Sequence, residues 1–475
     1  MKLFAKLRDD ASLRILLAIL ALVFVKQLAW LTAMPLWHTP DEDAHYQYVE
    51  YLAETGRLPI FTRATPLNQY SQEVVLSLQQ SGVEEVKFRP PIQPILTSST
   101  TGPGEERFSQ QPRLSRSSDG NSSAAVYAPG YYFPAALAYR AVEGGTLMDR
   151  VFAVRAVSIG FVLLTTFLAF QLAGLIWSNL YVRAGFALFV GMHPVLSFLG
   201  VSVNNDAMLV ALGSAALVYL AYALKTGFSF RQGLVLGFVL GFGLLAKPQM
   251  MWFVLVTPFL AALAAWYRRD SWKRLIRYGL GVGLSVAMLY GPWLAYCKQT
   301  YGTWVPSLIA SEGQQAMSLL EFIGTSLSAP GLERAFHLWI ISYWANLGWH
   351  DTYLAHPVYL ALAAFMLLGG VGTIFAVFRE KGLATLITAA SACLALGYLV
   401  FLYYAEFQVM RLTGAALLQG RYWLPVILPI SAVCFGGLLA LLPKERRVQG
   451  GVALALASIL LNLLTLLRMI ERYYA

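Results

Sequence analysis

Charge is what this sequence has least of. Only 13% of its 475 residues are charged, against about 25% in an ordinary soluble domain, too few to cover the surface of a water-soluble fold of that length. Cysteine is scarce as well. Cys297, Cys393 and Cys434 have no paired spacing, so they say nothing about redox compartment and read as packing residues. No internal repeat relates the two halves of the chain, which weighs against the repeat-built transporters. The first apolar run lacks a small-residue cleavage pattern and is longer than a signal-peptide core, so it reads as an uncleaved span.

What is present is apolar sequence in long runs. Hydrophobic residues make up 57% of the chain and the mean hydropathy is +0.58. A helix needs roughly 20 apolar residues to cross the ~30 Å hydrocarbon layer, and helices satisfy their own backbone there. The runs predict an all-α polytopic bundle of about 11 membrane-spanning helices. The first is Leu13 to Leu36. The others lie near 151–176, 184–201, 206–224, 232–246, 249–266, 276–296, 357–378, 383–404, 422–442 and 451–469.

Basic residues set the orientation. With the amino terminus, carrying Lys2, Lys6, Arg8 and Arg14, in the cytoplasm, Arg183, Lys225 to Arg231, Arg268 to Arg277, Arg379 with Lys381, and Lys444 to Arg447 all fall in cytoplasmic turns. The net charge of +10 is thereby spent on topology, and no nucleic-acid partner is implied. Residues 1–475 form one transmembrane unit, and two long segments, 37–150 and 298–356, face outward. The Pro- and Ser-rich stretch Pro90 to Ser123 reads as mobile. It is flanked by a short interfacial helix in Pro40 to Glu54 and by the Tyr- and Ala-rich piece Tyr127 to Val142. Asn121-Ser122-Ser123 fits a glycosylation acceptor pattern.

Directly after the first span comes Trp37-His38-Thr39-Pro40-Asp41-Glu42-Asp43-Ala44-His45-Tyr46. Three adjacent carboxylates repel, which raises at least one pKa unless a cation is near. Thr39 or Asp41 as a helix cap accounts for one acid, not for three and a histidine. His38, Asp41 and His45 are a candidate metal set by ligand type, though a divalent metal is not required. Lys247, in Leu245-Ala246-Lys247-Pro248, ends a piece covering only roughly 24 Å, so it is expected to lie recessed in the outer leaflet, where a cation needs a negative partner or must snorkel. Arg421, in Gln419-Gly420-Arg421-Tyr422, and Arg411 reach the same level if their spans are neighbours. Arg forks suit phosphate oxygens, and an aromatic-belt anchor is the plainer alternative. The latter also suits Trp339, Tyr343, Trp344, Trp349 and Tyr353. His350, Asp351 and His356 lie near the acidic cluster if the loops meet.

Several separated pieces resemble the bacterial GT-C glycosyltransferase superfamily, and within it a family of predicted bacterial multi-pass membrane proteins of unknown function. They are Pro40 to Tyr46, Ala128-Pro129-Gly130-Tyr131-Tyr132, Asn204-Asn205-Asp206-Ala207, Leu245 to Pro248, Trp344-Ala345-Asn346-Leu347-Gly348-Trp349, and Gln419 to Tyr422. The resemblance implies a GT-C-like bundle in the cell membrane, the bacterial inner membrane, with its active site on the extracytoplasmic face. It implies transfer of a sugar from a polyprenyl-phosphate carrier to an acceptor hydroxyl, with inversion. The partners are that donor and membrane lipids; the acceptor is not specified. The superfamily's functional acid falls on Asp41, with Glu42 beside it; Asp43 is an addition to the usual two-residue motif. Lys247, Arg421 and Arg411 are the expected ligands of the donor phosphate, and Asp43, His45, Tyr131, Asp206, Trp349, His350 and Tyr422 are expected in support. Asp206 reads first as a helix cap. A transporter or lipid flippase of envelope precursors, or a non-catalytic glycolipid-binding protein, is the alternative.

Overall fold

The structure, a computed structural model, describes residues 10–81, 83, 116–306 and 317–474. Most of the Pro90 to Ser123 stretch, and the basic residues Lys2, Lys6 and Arg8, lie outside them. Among the described residues the regular structure is helical, apart from one isolated bridge between Leu347 and Thr352. Nine helices among these residues are long and apolar enough to cross a membrane: Ala11–Ala33, Leu147–Ile176, Asp206–Thr226, Pro248–Arg268, Trp272–Tyr301, His356–Arg379, Leu383–Thr413, Gly420–Leu441 and Lys444–Tyr474. The segments expected near 184–201 and 232–246 fall on the shorter apolar helices Leu180–Gly191 and Phe230–Ala246. Length and composition therefore support nine spans directly, with two further helices at the remaining expected places.

Polar residues between the apolar runs start these helices. Thr146 and Asp149 form a reciprocal capping box before Leu147–Ile176, and Asn179, Ser229 and Ser271 cap the helices that follow them. Small residues then let the helices touch. A methyl on Gly233 would stand 2.1 Å from the Tyr278 carbonyl oxygen, so Phe230–Ala246 and Trp272–Tyr301 meet backbone to backbone, as helices do where lipid provides no hydrophobic drive.

The basic turns gather together. Arg268 donates to the carbonyls of Leu224 and Lys225 at 2.6 and 2.9 Å, and Arg447 pairs with Glu380 at 2.9 Å. At the other end of the helices the first loop builds its own core from Trp37, Tyr46, Tyr48, Val74, Tyr131 and Tyr139. The helix Glu42–Thr55 forms where the pattern placed one, but more deeply than an interfacial helix. Every residue from Glu42 to Glu50 is buried, because Tyr46 and Tyr48 both find aromatic partners, Tyr48 stacking on Tyr132 at 3.6 Å. Asn121 is 2% exposed and bonded to Thr62 and Thr65, so it ties the loop together and is not an open glycosylation site.

Candidate functional site

The chain leaves the first span through two residues with left-handed backbone, Trp37 at φ 66° and Asp41 at φ 61°. Aspartate tolerates that region better than most residues. Asp41 stands at the cap position of Glu42–Thr55, yet its side chain makes no capping bond. Instead Oδ2 accepts from Arg421 Nη2 at 2.7 Å, across 380 positions of sequence. Half of this side chain, 49%, remains exposed.

The neighbouring acids are occupied. Glu42 is fully buried and takes both prongs of Arg155, at 2.8 and 2.7 Å. It also accepts the backbone N–H groups of Trp37 and Val203, each at 3.0 Å. Arg155 also donates to the Met34 and Pro35 carbonyls. With each oxygen holding two donors, Glu42 pins the end of the first span and has no lone pair free for a substrate proton, which corrects the expectation that it shares the catalytic role. Asp43 is buried and accepts the Tyr70 hydroxyl at 2.8 Å. Only Asp41 among the three faces open space.

Burial would raise the Asp41 carboxyl, but the Arg421 guanidinium beside it prevails and, with smaller help from His45 and Lys247, holds it at about 2. His45 is pushed down to about 4, chiefly by burial, so it is neutral at pH 7. Its Nδ1 meets the Tyr132 hydroxyl at 2.7 Å, and its ring stacks with those of Tyr127 and Tyr132.

Asp206 corrects the cap assignment. Asn205 occupies the cap position, and Asp206 is the first helical residue, its N–H taken by Asn204 Oδ1 at 2.8 Å. Its carboxylate accepts from Lys247 Nζ at 2.5 Å and lies 3.8 Å from Arg421 Nε. Lys247 is positioned by the break at Pro248, with extended backbone at φ −159°. Two carbonyls at that helix end, which lack partners within the helix, are met from outside: Gly130 N–H donates to Leu245 at 3.0 Å and Asn205 Nδ2 to Ala246 at 2.9 Å. The Gly130 contact needs glycine, since a methyl there would stand 2.7 Å from the Leu245 oxygen. Lys247 is 4% exposed, with its ammonium 5.5 Å and 5.3 Å from the ring centres of Tyr127 and Tyr422. It is ion-paired inside the protein, so snorkelling does not describe it.

Asp41, Arg421, Asp206 and Lys247 thus form one alternating chain of two acids and two bases, with Tyr127 and Tyr422 alongside. Arg421 is 6% exposed, and its Nε and Nη1 are buried without a hydrogen-bond partner among the described residues, as is Asp206 Oδ2. Buried unpaired donors on a cation cost free energy that an anionic ligand would recover.

The other expected residues divide. His350, half-buried and at φ 63°, feels Arg421 and Asp41. Burial first, and Arg421 next, push its imidazole down. Trp349 donates to the Trp37 carbonyl at 3.2 Å, joining the second loop to the first, and Tyr131 reaches Ser158 at 3.0 Å inside the fold. The guanidinium of Arg411 lies 5.9 Å from the Phe407 ring centre and pairs with neither acid of this chain of charges, so the geometry does not bring it to the phosphate position. The metal set is not assembled either. His38 Nε2 lies 3.1 Å from the Ser81 carbonyl and His45 faces Tyr132. Among the described residues no three His, Cys, Asp or Glu side chains are grouped to hold a metal. Sequence reasoning missed Tyr127 and Arg155. An arginine inside the apolar run 151–176 is itself a signal, since such residues are costly without a partner.

A protein-family profile described as "Predicted membrane protein (DUF2142)" matches residues 24–430. Among solved structures, ArnT from Cupriavidus metallidurans in the apo state is similar with a TM-score of 0.52 at 14% identity, over 93% of this chain and 62% of ArnT. The chain therefore spans less than two thirds of that protein, and at this identity the likeness is one of fold. The Archaeoglobus fulgidus oligosaccharyltransferase in its apo form is matched with a TM-score of 0.38 at 12% identity, over 92% of this chain and 56% of that one. No curated protein sequence matches the chain. The ArnT-like helical fold agrees with the GT-C-like bundle that the motifs implied.

Proposed function

The chain belongs to the DUF2142 family of predicted membrane proteins, and from that premise we propose that it is a membrane glycosyltransferase using a polyprenyl-phosphate-linked sugar, with its site on the extracytoplasmic face. The observation that carries this reading is the bridging Arg421, which holds Asp41 at 2.7 Å and lies 3.8 Å from Asp206 while two of its buried nitrogens lack acceptors among the described residues.

In the proposed reaction the donor phosphate takes Arg421 and Lys247 as its cations. The acceptor oxygen bonds to the anomeric carbon as the bond from that carbon to the phosphate oxygen breaks. The electron pair leaves on the phosphate, which needs no proton, and the acceptor's proton passes to Asp41. Configuration inverts. At an effective dielectric of 20, a charge pair 4 Å apart gains roughly 4 kcal/mol, and such a gain counts toward catalysis where charge grows on the leaving phosphate.

Arg421 also resolves a difficulty. A carboxylate held at about 2 is a weak base at neutral pH. A phosphate that draws Arg421 toward itself loosens the pair with Asp41 and restores its basicity, so donor binding switches on the base. The half-exposed position of Asp41 leaves room for the acceptor.

The test is Asp41→Asn in the purified protein with a polyprenyl-phosphate sugar donor. Turnover is expected to fall about 10²- to 10⁴-fold, the range for loss of a positioned base, with carrier binding retained. Full turnover in this variant would rule out Asp41 as base. Movement of the lipid across vesicles without any glycosidic product would favour a flippase.

A further inference from the structure

Beside the ion chain lies a group of uncharged polar side chains that the proposed chemistry has not used. Asn346 is 5% exposed and its Oδ1 has no hydrogen-bond partner among the described residues. Its Nδ2 is 3.4 Å from His350 Nδ1 and 3.5 Å from His337 Nε2. Gln419 lies against the His350 ring, which is placed to share a hydrogen bond with its amide.

The backbone holds this group against the reaction point. Leu347 and Thr352 pair across a tight turn, with Gly348 and His350 both left-handed at φ 63°; a non-glycine residue in that region is uncommon and marks constrained backbone. From the other side, Gly420 N–H donates to Ser342 Oγ at 3.0 Å, and a methyl on Gly420 would stand 2.3 Å from the Tyr343 nitrogen. Gln419 and Arg421 are therefore clamped onto the segment that carries Asn346.

We propose that Asn346 and Gln419, framed by His350, are the subsite for an uncharged, hydroxyl-bearing sugar ring on the donor; this rests on the glycosyltransferase reading. The buried Asn346 Oδ1 calls for a donor, which a sugar hydroxyl supplies, and a second hydroxyl can replace the His350 ring at the Gln419 amide oxygen. A phosphate or carboxylate has no hydrogen to give them. The carboxylate on this turn, Asp351, is already paired with Arg472 at 2.9 Å, and the adjacent cation, Arg421, is committed to the phosphate. Leaving such an oxygen unpaired against the wrong ligand weakens binding by about tenfold, which gives discrimination.

The experiment measures binding of the full-length protein in detergent to a short-chain polyprenyl phosphate, to the same lipid bearing a neutral hexose, and to the same lipid bearing a uronic acid. Wild type is expected to bind the hexose lipid at least about tenfold more tightly than the bare phosphate and to gain less from the uronic acid, whose carboxylate replaces one of the hydroxyl donors. Asn346→Ala abolishes the gain and leaves bare-phosphate binding within about twofold. Gln419→Ala, the second variant if Asn346→Ala fails to fold, reduces the gain without touching the bare lipid. Equal binding of all three lipids by wild type, or equal weakening of all three by either variant, overturns the subsite while the phosphate site stands. No binding of the bare phosphate to wild type removes the glycosyltransferase reading itself.

Discussion

Asp41 and Glu42 are consecutive acids with opposite fates, and their partners decide which is which. Glu42 meets a planar Arg155 fork in a dry interior, so Glu42→Ala leaves a buried cation unpaired. Such breaks cost about 3–5 kcal/mol, and the variant is expected to lose most of its folded yield in detergent by thermal-melt assay. Asp41→Asn should barely change melting, because its side chain is half-exposed. The Asp41 pair also fixes a pH signature. A carboxyl held at about 2 lies below its usual value, so the pair is intact above about 4 and is lost as pH falls through 2. If the donor phosphate draws Arg421 away, the base becomes stronger in the complex. The acid limb of kcat should then lie at higher pH than that of kcat/KM, since the former reports the complex and the latter the free enzyme; coincident limbs would count against the switch. The convergence of Asp41, Lys247 and Arg421 was legible because isolated charges in so apolar a chain need each other. The pairing of Asp206 was hidden behind an ordinary preference of acids for helix starts.

The first loop behaves as an element with its own core, and its stability has a separate handle. Burial pushes the Glu50 carboxyl up to about 8, with Ser71 offsetting part of the rise and Glu73 and Glu54 adding to it. A raised value means the folded loop prefers the protonated acid. Its contribution is complete below the unfolded value near 4.5 and is lost as pH rises through 8. Glu50→Gln is thus expected to raise the melting temperature by a few degrees at about pH 8 and by nothing at about pH 4.5. A second handle is Gly130, whose N–H holds the Leu245 carbonyl. Gly130→Ala forces the Tyr127 loop away from Lys247 by steric contact and should lower donor affinity more than it lowers melting temperature. Span positions were readable from hydropathy alone, as were helix starts at Thr146 and Ser229. The depth of Glu42–Thr55 was not, because its own residues are too polar on average to announce burial; tyrosines supplied by Tyr127 to Tyr139 cover it.

At the scale of the whole molecule, the charged residues are sorted by end. Turns rich in Lys and Arg cluster where Arg268 and Arg447 reach across to neighbouring turns, and Asp41, Asp206, Lys247 and Arg421 sit at the other ends of the helices. By the positive-inside rule, a cysteine placed at Lys444 should be blocked only by a membrane-permeant thiol reagent, and one placed at Arg63 by an impermeant reagent added outside intact cells. The basic turns indicated which helix ends share a side; no local pattern could show that Asp41 and Arg421, 380 residues apart, share a hydrogen bond. The central claim is that this meeting place holds a lipid phosphate, and a structure of the protein with a polyprenyl phosphate bound tests it most directly. The account predicts phosphate oxygens in hydrogen-bond contact with Lys247 and Arg421, and an Arg421 to Asp41 separation longer than the present 2.7 Å. A phosphate bound elsewhere, with that pair unchanged, would contradict it.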